Sequence, residues 1–451
     1  MTPLTPIRPY EDAAYPPGPW PSSFWCASVG KAVECAPLSS DLEVDVLIVG
    51  AGYTGLNAAL ELRENSGQSV ALIDAGNPAW GASGRNGGFC CLGGSALSVA
   101  GQIKRFGLEE TRRYLGLQHR AIDQVARFLD ESGQAADRHS DGELLLAHKA
   151  SIYKGMLDNA NVIRNLGGID FQAIPKKELA AHGVNGPGFH GGVITKAGFA
   201  LNPMKYAQSL LAAVQKAGVR VFGNTEMQGI WSDASGVRVA AGAYQIRAKK
   251  LILATNGYAN DSVPKTLGGR QLPVISAIMV TRPLSEAELA AQGWTSDLMA
   301  YDSRHLLHYF RKLPDGRFLI GQRGALFVNP VAEERARKKV RRDFEAMFPG
   351  WRHVETDYFW SGFVSLTRDL TQYIGPVPGL ENCFAAFGYH GNGVAMASLS
   401  GRLVAQLSQG EVVDLPPQMT RLPRRFPLGR HRRFLLQAAF AKYWLQDRLG
   451  H

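Results

Sequence analysis

The stretch VDVLIVGAGYTGLNAAL, Val44–Leu60, leaves few folds open. An apolar run of the buried-strand type breaks into glycines at positions 50, 52 and 55 and continues in a helical pattern. Gly50 permits the tight turn, Gly52 lets a pyrophosphate approach the backbone, and Gly55 lets the helix pack closely on the strand. Unsatisfied N–H groups and the helix dipole at that helix start favour an anion. SVALIDAG, Ser69–Gly76, reads as a second parallel strand carrying Asp74, 19 residues after Gly55, where a carboxylate can accept hydrogen bonds from ribose hydroxyls. A lone glycine triplet is also compatible with a tight turn that binds nothing. Strand, glycines, helix, strand and acid in register point instead to an α/β, Rossmann-like dinucleotide domain.

Two further segments decide between dinucleotides. WGASGRNGGFCC, Trp80–Cys91, is a loop of small residues for which a nicotinamide dehydrogenase has no evident need. An extended flavin dinucleotide does need a second backbone segment beside its ribityl chain. GYHGNGVAMASLSGRLVAQL sets glycines before an amphipathic helix starting near Gly393. This second helix N-terminus suits the pyrimidine edge of a reduced flavin, negative at N1 and the C2 carbonyl. Two such helix starts, some 340 residues apart in the chain, argue for FAD.

At 451 residues two domains are expected. Strand and helix patterns suggest an N-terminal arm (1–40) and a discontinuous FAD-binding domain (41–100, 193–265 and 355–410). A substrate-binding domain (101–192 and 266–354) and a basic tail (411–451) complete the expected organisation. The net charge of +10 is concentrated: residues 421–451 hold eight Lys or Arg against one Asp, +7 of the total. The body offers no basic face for nucleic acid. No apolar run reaches the roughly 18 residues of a bilayer span, and the start lacks a secretory pattern. Five cysteines without metal-ligand spacing read as reduced thiols in a cytoplasmic protein, with no metal site expected.

VLIVGAGYTGL, GASGRNGG, LILATNGY, WSGFVSLTRD…IGPVPG and GYHGNGVAMASLSGRL together resemble the D-amino-acid-oxidase/glycine-oxidase superfamily of flavoproteins. The arm FWCASVGKAVECAPL and the ending LPRRFPLGRHRRFLLQAAFAKYWLQDRLG are similar to its γ-glutamylputrescine oxidoreductase branch. The resemblance implies an FAD-binding domain of the glutathione-reductase type with an interleaved antiparallel-sheet substrate domain. It assigns Gly50, Gly52, Tyr53, Thr54 and Gly55 to the pyrophosphate, and Asp74, followed by Ala75, to the adenosine ribose. Ala82, Ser83, Arg85, Asn86, Gly87 and Gly88 fall on the ribityl and flavin segment. Met227 matches a position whose backbone meets the adenine, Ala254 and Gly257 count among the cofactor contacts, and Gly391, Asn392, Gly393 and Val394 face the flavin pyrimidine. The branch more often has Glu at position 74, and the superfamily's GHG stands here as Gly391-Asn392-Gly393.

The chemistry implied is removal of hydride from a carbon bearing an amine to flavin N5, with hydrolysis of the resulting imine. Flavin does the redox work, so no acid–base pair is expected. Four residues are candidates for the substrate side. His390 precedes the flavin-facing glycines; otherwise it is structural or solvent-facing. Tyr309 lies where the superfamily often points an aromatic into the cavity, although aromatics on strands are usually core. Arg323 suits a bidentate carboxylate clamp, or a surface ion pair. Trp360 would wall the cavity or pack under the flavin. Cys90 and Cys91 read as small packing residues, and the place where relatives attach flavin covalently corresponds to about Val364–Ser365, which has no thiol; FAD is expected to be non-covalent. The tail pattern can lie on an anionic membrane, but packing on the protein's own body is the plainer expectation. The leading function is an FAD-dependent oxidoreductase for a γ-glutamylated polyamine or similar small amine, with O2 as acceptor. An amino- or imino-acid dehydrogenase feeding a membrane carrier, and a flavin protein without turnover, are the alternatives.

Overall fold

The computed structural model describes residues 6–30 and 32–449. The first five residues and Lys31 of the expected arm, and the last two of the expected tail, lie outside the described residues. Two eight-stranded sheets organise the chain. The first runs Tyr373–Pro376, Cys383–Phe387, Tyr244–Leu253, Leu42–Val49, Val70–Ile73, Arg220–Phe222, with Gly229–Asp233 and Gly236–Ala241 attached antiparallel at one side. Leu42–Val49 pairs in parallel with both neighbours, and Val46, Leu47 and Ile48 are wholly buried, as a strand covered on both faces must be. Helix Tyr53–Asn65 follows directly. Gly50 adopts φ +110°, and a Cβ at Gly55 would lie 1.8 Å from the Gly50 carbonyl oxygen, so the turn and the close helix approach both require glycine.

The second sheet runs Thr356–Thr367, Gln271–Thr281, Phe318–Ala325, His308–Lys312, Met299–Asp302, Glu143–Leu146, Gly191–Thr195, Phe171–Pro175. All its pairings are antiparallel except Met299–Asp302 with Glu143–Leu146. Two of its strands, Gly191–Thr195 and Thr356–Thr367, cross residues grouped by sequence with the FAD-binding segments. Period-two patterns identify a strand but not which sheet it joins. One face packs on an aromatic cluster that includes Trp294, Phe310, Phe318, Phe348 and Trp351, with helix Pro330–Met347 over it. Register fixes the other face: Trp360 opposite Ile278, Ser276 opposite both Gly362 and Arg323, Gly321 opposite Tyr309, Tyr309 opposite Tyr301, and Met299 opposite Glu143.

The arm is inserted as well as laid on. Tyr10, Tyr15 and Trp25 are buried, and the Trp25 indole donates to the Asn86 carbonyl at 2.8 Å. At the other end, helix Leu435–Leu449 docks Leu436 and Phe440 against Leu272 and Val274, while Arg432 pairs with Asp261 and Arg433 with Glu11. Among the described residues no helix is long and apolar enough to cross a membrane.

Candidate functional site

The glycine turn and the helix starting at Gly393 meet. Thr54 Oγ1 and Tyr389 Oη are 2.8 Å apart, and helix Gly393–Ser408 packs along helix Tyr53–Asn65 so closely that a Cβ on Gly401 would stand 2.2 Å from the Thr54 carbonyl oxygen. Between the two helix starts lies a first cavity with about 1320 Å3 of non-protein space, part of it open to solvent. Gly50, Gly52, Tyr53 and Thr54 line it, and the first-turn N–H groups there are those a helix cannot satisfy internally. Ser83 Oγ accepts from the Tyr53 N–H at 3.0 Å and tethers the second loop to the helix start; a Cβ on Gly52 would come within 2.8 Å of that oxygen.

Asp74 also lines this cavity. Its two oxygens accept from the N–H groups of Ala51 (2.6 Å) and Gly76 (2.8 Å), so one carboxylate ties the turn to the end of the second strand. Burial pushes its pKa up and the two N–H donors oppose the shift. Each oxygen keeps acceptor capacity for a ribose hydroxyl. Ala75, Ala82, Ser83, Asn86, Met227, Ala254, Gly391, Gly393 and Val394 share the lining. Gly55, Gly88 and Gly257 line neither this cavity nor the next; a Cβ would strike the Gly50 carbonyl at Gly55 and the Leu201 carbonyl at Gly88, and would sit tightly, at 3.3 Å, against Ser365 Cβ at Gly257.

A second cavity, with about 1220 Å3 of non-protein space, part of it open to solvent, adjoins the first at Ala82, Asn86, Phe363, Val364, His390, Gly391 and Val394, which line both. Gly87 and Asn392 face the second cavity alone. So does Arg85, whose guanidinium lies 4.1 Å from the Trp80 ring and donates to the carbonyls of Trp80 and Ser361. Tyr309 and Arg323 line it as well. Tyr309 hydrogen-bonds Ser276 at 2.9 Å, and burial pushes its hydroxyl up to about 12. Arg323 donates to the His390 carbonyl at 3.3 Å and has no carboxylate partner among the described residues. Trp360, on the same sheet face, lines neither cavity: its indole donates to the Arg85 carbonyl, and its ring packs edge-on against Trp25.

His390 stands in the shared wall with φ +55°, a conformation a non-glycine residue holds only when its surroundings impose it. Thr367 Oγ1 donates its one proton to the Thr371 carbonyl at 2.6 Å and lies 3.2 Å from His390 Nε2. That oxygen must therefore accept from Nε2–H, which leaves Nδ1 an acceptor, buried and without a partner among the described residues. Burial, assisted by Arg323, lowers the imidazole pKa to about 4. An imidazole with a folded pKa below its ordinary 6.5 contributes stability that is complete above pH 6.5 and lost as pH falls toward 4. The loss approaches about 1.4 kcal/mol per pH unit at its steepest. Urea unfolding across that range is expected to show a shallower acid slope in His390→Gln than in wild type.

Several lining residues carried no sequence signal. Arg8, from the arm, reaches the first cavity, pairs with Glu226 at 2.7 Å and stacks 4.8 Å from the Tyr15 ring. Glu143 and Tyr301 reach the second. Cys91 lines it too, while no cysteine lines the first cavity.

A parallel sheet with two helix starts converging on one cavity, backed by a second sheet enclosing another, is the architecture of a flavin-dependent oxidoreductase. The chain belongs to the DAO family of FAD dependent oxidoreductases, whose family model matches residues 45–407. It is 28% identical over 433 residues to γ-glutamylputrescine oxidoreductase of Escherichia coli, covering 95% of this chain and 99% of that one. It is 30% identical over 411 residues to an oxidoreductase named OrdL of Rhizobium meliloti, covering 90% and 92%. Among solved structures, glycine oxidase from Geobacillus kaustophilus superposes with a TM-score of 0.69 at 20% identity, over 85% of this chain and all of that one, which shows the shared fold. Enzymes of this class act on C–N bonds of amines or amino acids.

The residues fit FAD. The glycine turn clears backbone room, helix N–H groups and Asp74 supply donors and an acceptor at one end, and His390–Val394 closes the other.

Proposed function

We propose that the protein binds FAD non-covalently in the first cavity and oxidises the C–N bond of a small amine, γ-glutamylputrescine or a related polyamine derivative, held in the second. FAD held there would supply the acceptor for hydride from the carbon bearing nitrogen, so that amine, O2 and water would give aldehyde, ammonia and H2O2 through hydrolysis of the imine. The lining common to the two cavities supports this reading, because the spaces adjoin at Ala82, Asn86, Val364 and His390–Gly391, where a substrate in one could meet the flavin ring in the other. Absence of a cysteine from the first cavity supports non-covalent binding, and free thiols at all five cysteines suit a cytoplasmic setting. Neutral His390 and cationic Arg323 beside the ring site disfavour an ammonium there and so favour the uncharged amine that loses hydride.

Unpartnered Arg323 also supports a second reading, in which the substrate is an amino or imino acid whose carboxylate it clamps and the electrons pass to another acceptor. Arg323→Met is then expected to lower kcat/KM about 10- to 100-fold for carboxylate-bearing amines, in proportion to a charge-assisted hydrogen bond. The loss should be small for amines without a carboxylate. An anaerobic panel of amines and amino acids tests both readings together: bleaching of the yellow absorbance by an amine, with aldehyde formed, upholds the first. Bleaching by amino or imino acids only upholds the second, and no bleaching by any member overturns both.

A further inference from the structure

The second cavity contains an acidic side chain for which the reaction has no use. Glu143, on the strand Glu143–Leu146, is 6% exposed and lines this cavity. Its neighbours are the Tyr301 hydroxyl, which donates at 3.4 Å, and the Cys91 thiol; no Lys, Arg or His pairs with it among the described residues. A carboxylate taken out of water without a cation is expensive, and burial holds Glu143 up to about 7 despite both donors. A cation arriving in the cavity would remove that cost.

Position gives this group a direction. Glu143 shares a sheet face with Tyr301, Tyr309 and Arg323, but stands three strands from Arg323, roughly 14 Å across the sheet at the usual strand spacing, and in register with Leu319, four residues or about 13 Å along the strand from it. Arg323 touches the wall of the ring site; Glu143 does not reach that wall. The cavity therefore has a cationic end beside the reacting carbon and an acidic end away from it.

We propose that Glu143 and Tyr301 form a distal ammonium subsite, so that the substrate is an amine carrying a second cationic group on an extended tail. This rests on the reading of the second cavity as the substrate site. The carboxylate ionises as the cation seats, Tyr301 holds one oxygen in place, and Cys91 closes the far side. The tail's length sets which amine nitrogen reaches the shared wall.

The holoprotein, as wild type, Glu143→Gln and Glu143→Asp, is mixed anaerobically with α,ω-diamines and with n-alkylamines of equal length, and flavin bleaching is followed. Glutamine keeps the shape and can still meet Tyr301, and flavin content reports folding. Wild type is expected to favour diamines by about tenfold or more, the scale of one charge-assisted hydrogen bond, with a maximum at one chain length. The preference should fall toward one in Glu143→Gln and survive, at a longer chain, in Glu143→Asp. Equal use of diamines and alkylamines by wild type, or a preference retained in Glu143→Gln, overturns the subsite while leaving the amine-oxidoreductase reading intact. Should neither compound bleach wild type, equilibrium binding decides the subsite, while the amine panel decides the amine-oxidoreductase reading: perturbation of the flavin spectrum by diamine in wild type and not in Glu143→Gln upholds the subsite, and any other pattern overturns it.

Discussion

A Gly401→Val chain is expected to purify with little flavin and to unfold about 2–3 kcal/mol more easily than wild type. Gly401 lies mid-helix, where glycine costs about 1 kcal/mol relative to alanine. The benefit is contact: a Cβ there would fall 2.2 Å from the Thr54 carbonyl oxygen, 2.9 Å from Asn57 Cβ and 3.0 Å from the Ala58 nitrogen. All three belong to helix Tyr53–Asn65, two of them backbone, so the helices must separate. One of these helices begins at the glycine turn and the other at the His390–Val394 segment, so separation pulls apart the two ends of the cofactor cavity. Urea unfolding gives the stability change, and calorimetric titration of the apoprotein with FAD gives the affinity, expected to weaken about tenfold or more. Wild-type stability and affinity would mean the helices do not cross as closely as described.

Asp302→Ala is expected to cost about 3–5 kcal/mol, the range for removing one partner of a buried ion pair. Asp302 is 1% exposed and accepts from the Arg304 side chain and N–H, from the His308 N–H, and from His308 Nδ1 at 2.9 Å. His308 Nε2 faces Asp343 at 3.3 Å. Burial disfavours the His308 charge, but the bonds to Asp302 and Asp343 outweigh it and its pKa is raised. Removing Asp302 leaves that imidazolium with one carboxylate and strips the turn before His308 of its acceptor. Tyr301 is the adjacent residue on the same strand, so the second cavity is expected to loosen with the network. Asp302→Asn should fall between wild type and Ala, since the amide oxygen can still accept from the two N–H groups.

The first sheet and its helix start were legible because the constraint is local. Tyr53–Asn65 and the strand before it follow from glycine spacing and apolar periodicity within twenty-odd residues. The second site was legible only in part. Tyr309 and Arg323 were placed through resemblance, and both line the cavity, whereas Trp360 beside them is covered by Trp25, a residue more than 300 positions away in sequence. Glu143 looked like any strand-edge acid; what distinguishes it is the lack of a cation, a property of the assembled sheet. Arg8 reaches the first cavity through an arm with no periodicity to read. Gly401 was not legible either: a glycine inside a helical pattern only costs stability, and its contact with the Thr54 carbonyl oxygen is a property of the packed helices.

The placing of dinucleotide and substrate in adjoining cavities is tested most directly by a crystal structure of the FAD-loaded protein with a non-oxidisable amine. The pyrophosphate is expected against the N–H groups of Gly52–Thr54, the flavin ring beside His390–Val394, and the amine in the second cavity between Arg323 and Glu143. A flavin ring turned away from residues 390–394, or an amine bound outside the cavity lined by Tyr309 and Arg323, would contradict it.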